Sequence, residues 1–166
     1  MDLAAAATTP WSPDEPHTRL ATWTGRWAGT MRLWLDPAVP PEEAAIALEA
    51  TPVLGGRLLR LQYTSTATGK PHAGEYLLGW DQNERRWMAA WIDSFHNGTG
   101  VMLSVGEAGD AGIARLLGSY QAGVERWGWR TAFRPEGPDR LVIEATNLWP
   151  SGREDRAFEA VLSRVG

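Results

Sequence analysis

The sequence predicts an all-β protein, a single up-and-down antiparallel barrel of about ten strands. Three observations predict it. Apolar residues recur at every second position through most of the chain, turn-forming clusters separate the runs, and no apolar run is long enough to cross a membrane as a helix. Side chains two apart share one side of a strand, so each run presents a greasy face that must be covered. Short connections make neighbouring strands antiparallel, and a ten-strand meander left open would expose two long edges, so closure is expected.

The elements follow in order. Residues 1–17 read as a flexible Pro-rich leader, with Pro10, Pro13 and Pro16 among acidic neighbours and Trp11 placed to cap the body. Asp2 and the short apolar stretch Leu3 to Ala7 do not suit a secretion signal, so a cytoplasmic location is expected. Residues 18–166 form the barrel. Trp23, Gly25, Trp27, Gly29, Met31, Leu33 and Leu35 make the inward face of the first strand, against Thr24, Arg26, Ala28, Thr30, Arg32 and Trp34. The stretch from Pro40 to Ala50 is built of helix formers, yet Ala44, Ile46, Leu48 and Ala50 alternate and Gly55-Gly56 follows as hairpin chemistry, so it is read as a strand. Further inward faces are Leu59, Leu61 and Tyr63; Gly74, Tyr76, Leu78 and Trp80; Val101, Leu103 and Val105; Trp127, Trp129, Thr131 and Phe133; and Leu141, Ile143 and Ala145. Asn97-Gly98 reads as a tight hairpin turn.

Composition bounds the chemistry. A chain of 166 residues can bury a real core in one domain. Zero cysteines exclude disulfides, thiolate metal sites and a cysteine nucleophile, and a net charge of −4 argues against nucleic acid or an anionic membrane as partner. Ten tryptophans and fifteen arginines beside the single Lys70 favour ring stacking and forked ion pairs, a bias that a GC-rich genome would also produce.

Gly25-Arg26-Trp27 is similar to the Gly-x-Trp opening of calycin barrels, the lipocalin and fatty-acid-binding group. The series Pro52-Val53-Leu54-Gly55-Gly56-Arg57, Gly79-Trp80-Asp81, Trp91-Ile92-Asp93-Ser94 and Trp127-Gly128-Trp129-Arg130 resembles, in that order and spacing, the bacterial family catalogued as domain of unknown function 1579. The resemblance covers residues 18 to 165. It implies a lipocalin-like barrel and transfers no reaction. It leaves two choices, Arg156 and Arg164, for the arginine that packs on the Gly-x-Trp ring in lipocalins.

Chemistry is sparse. Trp27, Tyr63, Tyr76, Trp91, Asp93, Trp129 and Asn147 are the candidate ligand-binding residues, rings for a wall and Asp93 or Asn147 for a polar anchor. The strand Trp87 to His96 is apolar on both faces, with Trp87, Trp91, Asp93 and Phe95 on one and Met88, Ile92, Ser94 and His96 on the other. Its outer side is expected under a loop, the leader or a second subunit. Asp93 either acts as an acid, base or anchor among rings or caps the following turn through backbone N–H groups, and His96 could approach it across that turn. With only His17, His72 and His96, no metal site is expected, and the late histidine of the haem-binding nitrobindins is missing. No nucleophile elbow or phosphate loop is present. The row Arg126, Arg130 and Arg134 suits solvent and cross-strand acids better than an acidic partner.

These observations favour a barrel that binds a small apolar or amphipathic molecule in its interior, with no cofactor. Two rivals stand beside it: a filled assembly module that forms a homodimer through Trp-rich strand faces, and an enzyme using Asp93 or His96 at the barrel mouth. The sequence leans away from the enzyme.

Overall fold

The computed structural model describes residues 12–166. A short helix, α1 (Glu15–Ala21), leads into ten strands: β1 (Gly25–Leu33), β2 (Glu42–Val53), β3 (Leu58–Ser65), β4 (His72–Asp81), β5 (Arg86–Asp93), β6 (Met102–Val105), β7 (Ala114–Ala122), β8 (Glu125–Pro135), β9 (Arg140–Leu148) and β10 (Glu154–Val165). Each strand pairs antiparallel with the next, and β1 pairs with β10 to close the barrel. Alternation accounts for this: Trp27, Met31 and Leu33 of β1 are buried while Arg32 and Thr30 face out. The helix-forming stretch does become β2. Ile46, Leu48 and Ala50 point inward and both of its edges are paired, to β1 and to β3, so long-range pairing overrides local propensity.

Four expectations need correction. The inward face of β6 is Met102 and Ser104, whereas Leu103 is 72% exposed and Val101 and Val105 also face out. Register decides this, because Met102 lies opposite Trp91 and Ser104 opposite Ala89, and directly opposed residues share a face. Neither Gly55-Gly56 nor Asn97-Gly98 forms a two-residue hairpin: a 3-10 turn over Leu54–Gly56 and Arg57 joins Val53 to its partner Leu58, and β5 stops at Asp93 while β6 starts at Met102, a connection closed by bonds from Asn97 N–H to the Asp93 carbonyl and from Gly100 N–H to the Asn97 carbonyl. The stretch expected as leader already contains the start of α1. Pro16 sits in its first turn, where a missing N–H costs nothing, and Pro16, His17 and Leu20 are buried. The Trp11 cap and the rest of that leader lie outside the described residues. Finally, the tryptophans of β5 do not form an outer face. Trp87 and Trp91 point into the barrel, and the outside carries Met88 and Ile92, exposed and aliphatic or thioether.

One end of the barrel is shut. Trp23, Trp27 and Leu20 are buried there, and the Trp27 indole donates to the Trp23 carbonyl at 2.9 Å. Arg164 settles the choice between two arginines. Its guanidinium lies 4.2 Å from the Trp27 ring centroid and donates to the carbonyls of Thr22, Thr24 and Pro138. Arg156 instead stacks on Trp34 at the opposite end. Gly25, at φ 128°, leaves room for this arginine, since a Cβ there would meet its guanidinium at 2.9 Å. Between the ends the interior is filled, with Leu59, Leu61, Leu78, Phe133, Leu141 and Leu162 all but sealed from water. Two arginines of the β8 row pair with acids as expected, Arg130 with Glu154 and Arg134 with Glu136 and Glu144, whereas Arg126 donates to the Ser119 hydroxyl at 3.0 Å.

Candidate functional site

The other end of the barrel is open. The C-terminal residues of β1, β3, β5, β7 and β9 meet the N-terminal residues of the even strands there, so side chains far apart in sequence converge. A cavity of about 200 Å³ lies at this mouth, lined chiefly by Trp34, Phe95, His96, Tyr120, Trp129 and Asn147 over a floor that includes Trp91. Trp91 and Trp129 stack at 5.2 Å with 21° between their planes. The His96 ring lies against both, at 5.4 and 5.6 Å. Tyr120 meets Trp129 edge-on and donates its hydroxyl proton to Asn147 Oδ1 at 2.8 Å.

Beneath the cavity runs a buried polar chain. Tyr63, Gly74 and Asp93 stand in one cross-strand row of β3, β4 and β5. Gly74 matters for close approach: a Cβ there would lie 2.2 Å from the Tyr63 hydroxyl oxygen. The Tyr63 ring therefore lies across Gly74, and its hydroxyl donates to Asp93 Oδ2. The same hydroxyl accepts the Trp91 indole N–H at 2.9 Å. Asp93 Oδ1 accepts the backbone N–H of Phe95 at 2.7 Å and of His96 at 2.6 Å, and the His96 Nδ1 lies 3.0 Å away. The carboxylate thus caps the turn, one of its two expected roles, while standing among rings. Burial pushes its carboxyl up, but the His96 ring, the Tyr63 hydroxyl and the His96 backbone N–H together outweigh burial and hold it at about 2. The neighbouring His72 is pushed down, by burial first, with Asp93 opposing.

The predicted residues are divided by this geometry. Trp91, Trp129 and Asn147 line the mouth cavity. Tyr63, Tyr76 and Asp93 line a void of only about 20 Å³ below it, where Tyr76 stacks on Trp91 at 5.3 Å. Trp27 packs at the shut end beneath Arg164, away from the others. Period two carried through to His96 sets it on the face opposite Asp93; the strand ends at Asp93, and the turn folds His96 back onto it. Trp34 and Tyr120 are not among the candidates that the sequence offers. Tyr120 continues an alternation with Leu116 and Gly118 that the sequence does carry, whereas alternation sets Trp34 outside and Leu35 inside; both follow the end of β1, so Trp34 borders the cavity and Leu35 is 57% exposed. Among the described residues no group of three His, Asp or Glu side chains is placed to hold a metal ion, and no helix is long and apolar enough to cross a membrane.

A closed ten-strand antiparallel meander, shut at one end by an arginine on the Gly-x-Trp ring and open at the other over aromatic side chains, defines a lipocalin-like barrel. Within that class the chain belongs to the DUF1579 family, described as protein of unknown function, whose family model matches residues 12–164. No curated protein matches the sequence. Among solved structures it is similar to the S-type phycobiliprotein lyase CPES from Guillardia theta, with a TM-score of 0.53 at 12% identity over 100% of this chain and 98% of that one. At that identity the likeness shows the fold.

Proposed function

We propose that this protein binds a small planar apolar or amphipathic molecule at the barrel mouth. The stacked Trp91 and Trp129 beside a cavity of about 200 Å³ carry this reading, because rings that only packed a core would leave no such space. Size limits the ligand. Drug-sized molecules occupy pockets of roughly 300–1,000 Å³, so one or two fused rings suit this cavity better than a long acyl chain. Trp34, Tyr120 and Trp129 supply faces for stacking, and Asn147 and His96 supply polar orientation.

Titration with 2-naphthamide, read by tryptophan fluorescence, tests the proposal. Saturable quenching is expected in the native protein, weakened at least about tenfold in Trp129→Leu and in Tyr120→Ala, each checked for fold by circular dichroism. No quenching, or equal affinity in both variants, overturns it.

A second reading, association of two copies, is favoured by one observation. Met88, Val105 and Leu117 form a row across the outer faces of β5, β6 and β7, with Leu103 beside them, all exposed. Light scattering that returns only monomer at micromolar concentration removes it.

A further inference from the structure

The chemistry of the mouth narrows the ligand class, an inference that rests on the binding proposal above. His96 is held by one edge. Its Nδ1 faces Asp93, while Nε2, on the opposite edge of a ring that lines the cavity, has no hydrogen-bond partner among the described residues. Asn147 gives its Oδ1 to Tyr120, which leaves its amide N–H groups uncommitted. The lining of one small cavity therefore offers two uncommitted donor groups, the Asn147 amide and, once it carries its second proton, His96. A guest made only of hydrocarbon would leave them unsatisfied, at a cost for each buried polar group.

Charge points the same way. Arg156 lies over Trp34, which lines the cavity, and makes no ion pair among the described residues. The titratable groups around His96 are Asp93 on β5, 3.0 Å away, His72 on β4, and Tyr63 on β3 and Tyr120 on β7, which share a cavity lining with it. Of these only Asp93 carries negative charge at neutral pH, and its two oxygens are taken by Tyr63, by two backbone N–H groups and by His96 itself. Asp155 is likewise engaged, by the Trp149 indole and Arg153, and Asp36 on the β1–β2 loop accepts the Ala38 N–H.

We infer that the ligand is a planar aromatic carboxylate, whose rings lie against Trp34, Tyr120 and Trp129 and whose head group accepts a hydrogen bond from His96 Nε2, with Asp93 positioning the imidazole. With Nδ1 turned to the Asp93 carboxylate, Nε2 carries a hydrogen to donate only in the imidazolium. Binding then takes up a proton wherever the free ring is neutral. The Asp93 carboxylate remains ionised throughout the range in which histidines titrate, so its contribution is constant there.

Isothermal titration of 2-naphthoate against its neutral isostere 2-naphthamide tests this. The carboxylate is expected to bind about tenfold more tightly at pH 6, and to lose that preference by pH 8.5. Its heat is expected to vary with buffer ionisation enthalpy, showing proton uptake, while that of the amide does not. In His96→Gln the preference and the uptake should vanish, with near-ultraviolet circular dichroism checking that the variant keeps its fold. Equal affinity for both probes, or a preference that survives in His96→Gln, overturns the inference and leaves the binding proposal standing. A preference lost only in Arg156→Gln overturns it too, by assigning the anchor to Arg156. Failure of both probes to bind removes the binding proposal itself.

Discussion

Asp93 has a fully buried side chain, yet its hydrogen bonds keep it ionised. Its carboxyl is held at about 2 against an ordinary value of 3.8. A depressed carboxyl favours the folded state above its unfolded value, and that contribution is lost as pH falls through the folded one. The gap corresponds to on the order of 2 kcal/mol, present above about pH 4 and gone near pH 2. His17 and His72, pushed down chiefly by burial, add an acid-side loss that begins near neutrality, because the unfolded chain takes up their protons more readily. Asp93→Asn should lower stability by about 1–3 kcal/mol at pH 7 and flatten the part of the curve between pH 4 and 2, measured by urea unfolding at each pH. An unchanged slope in that window would mean that another group carries the acid sensitivity. The identity of Asp93 as a candidate was legible from its place among rings. That His96 would join it was legible only as an option, because the alternation gives no sign of where a strand stops.

At the scale of elements, β4 shows how a single glycine sets the position of a neighbour's side chain. Tyr63 reaches Asp93 because Gly74 between them has no Cβ. Gly74→Ala would put a methyl group against the Tyr63 ring and force it off the carboxylate. The expected result is destabilisation of about 2 kcal/mol or more, with a changed Trp91 emission, since Trp91 donates to the same hydroxyl. Thermal unfolding followed by tryptophan fluorescence checks both; native stability in the variant would show that Tyr63 is not so constrained. The same element scale explains β6. Its four residues, Met102–Val105, carry too little pattern to set a face, and three apolar side chains at Val101, Leu103 and Val105 point out of the barrel. Register with β5 chose the face, because Met102 follows the buried Trp91 across the ladder.

The whole molecule is organised by closure. β1 and β10, at opposite ends of the described chain, pair over eight positions from Arg26–Val165 to Leu33–Phe158. Contacts of such sequence separation delay folding, so this barrel is expected to fold more slowly than small helical proteins. Deleting residues 154–166 removes β10, exposes the edges of β1 and β9, and takes Arg164 from Trp27. The truncated chain is expected to lose its near-ultraviolet circular dichroism and to aggregate; a monomer with native near-ultraviolet signal would show that the nine remaining strands close without it.

The sequence by itself determined the class of the fold and most of its inside and outside. A period of two is a local property of a strand, and Leu59, Leu61 and Tyr63 or Trp129, Thr131 and Phe133 are buried where that period places them. It also supplied the number of strands, because each turn cluster is local too. The tertiary structure alone decided which end of those faces stays open. Filling depends on how side chains from all ten strands share one volume, so Trp27 became part of a sealed floor while Trp129 came to border a cavity. It alone, too, brought Tyr120 to Asn147 and Tyr63 to Asp93, pairs that lie 27 and 30 residues apart and meet only because the sheet curls and closes.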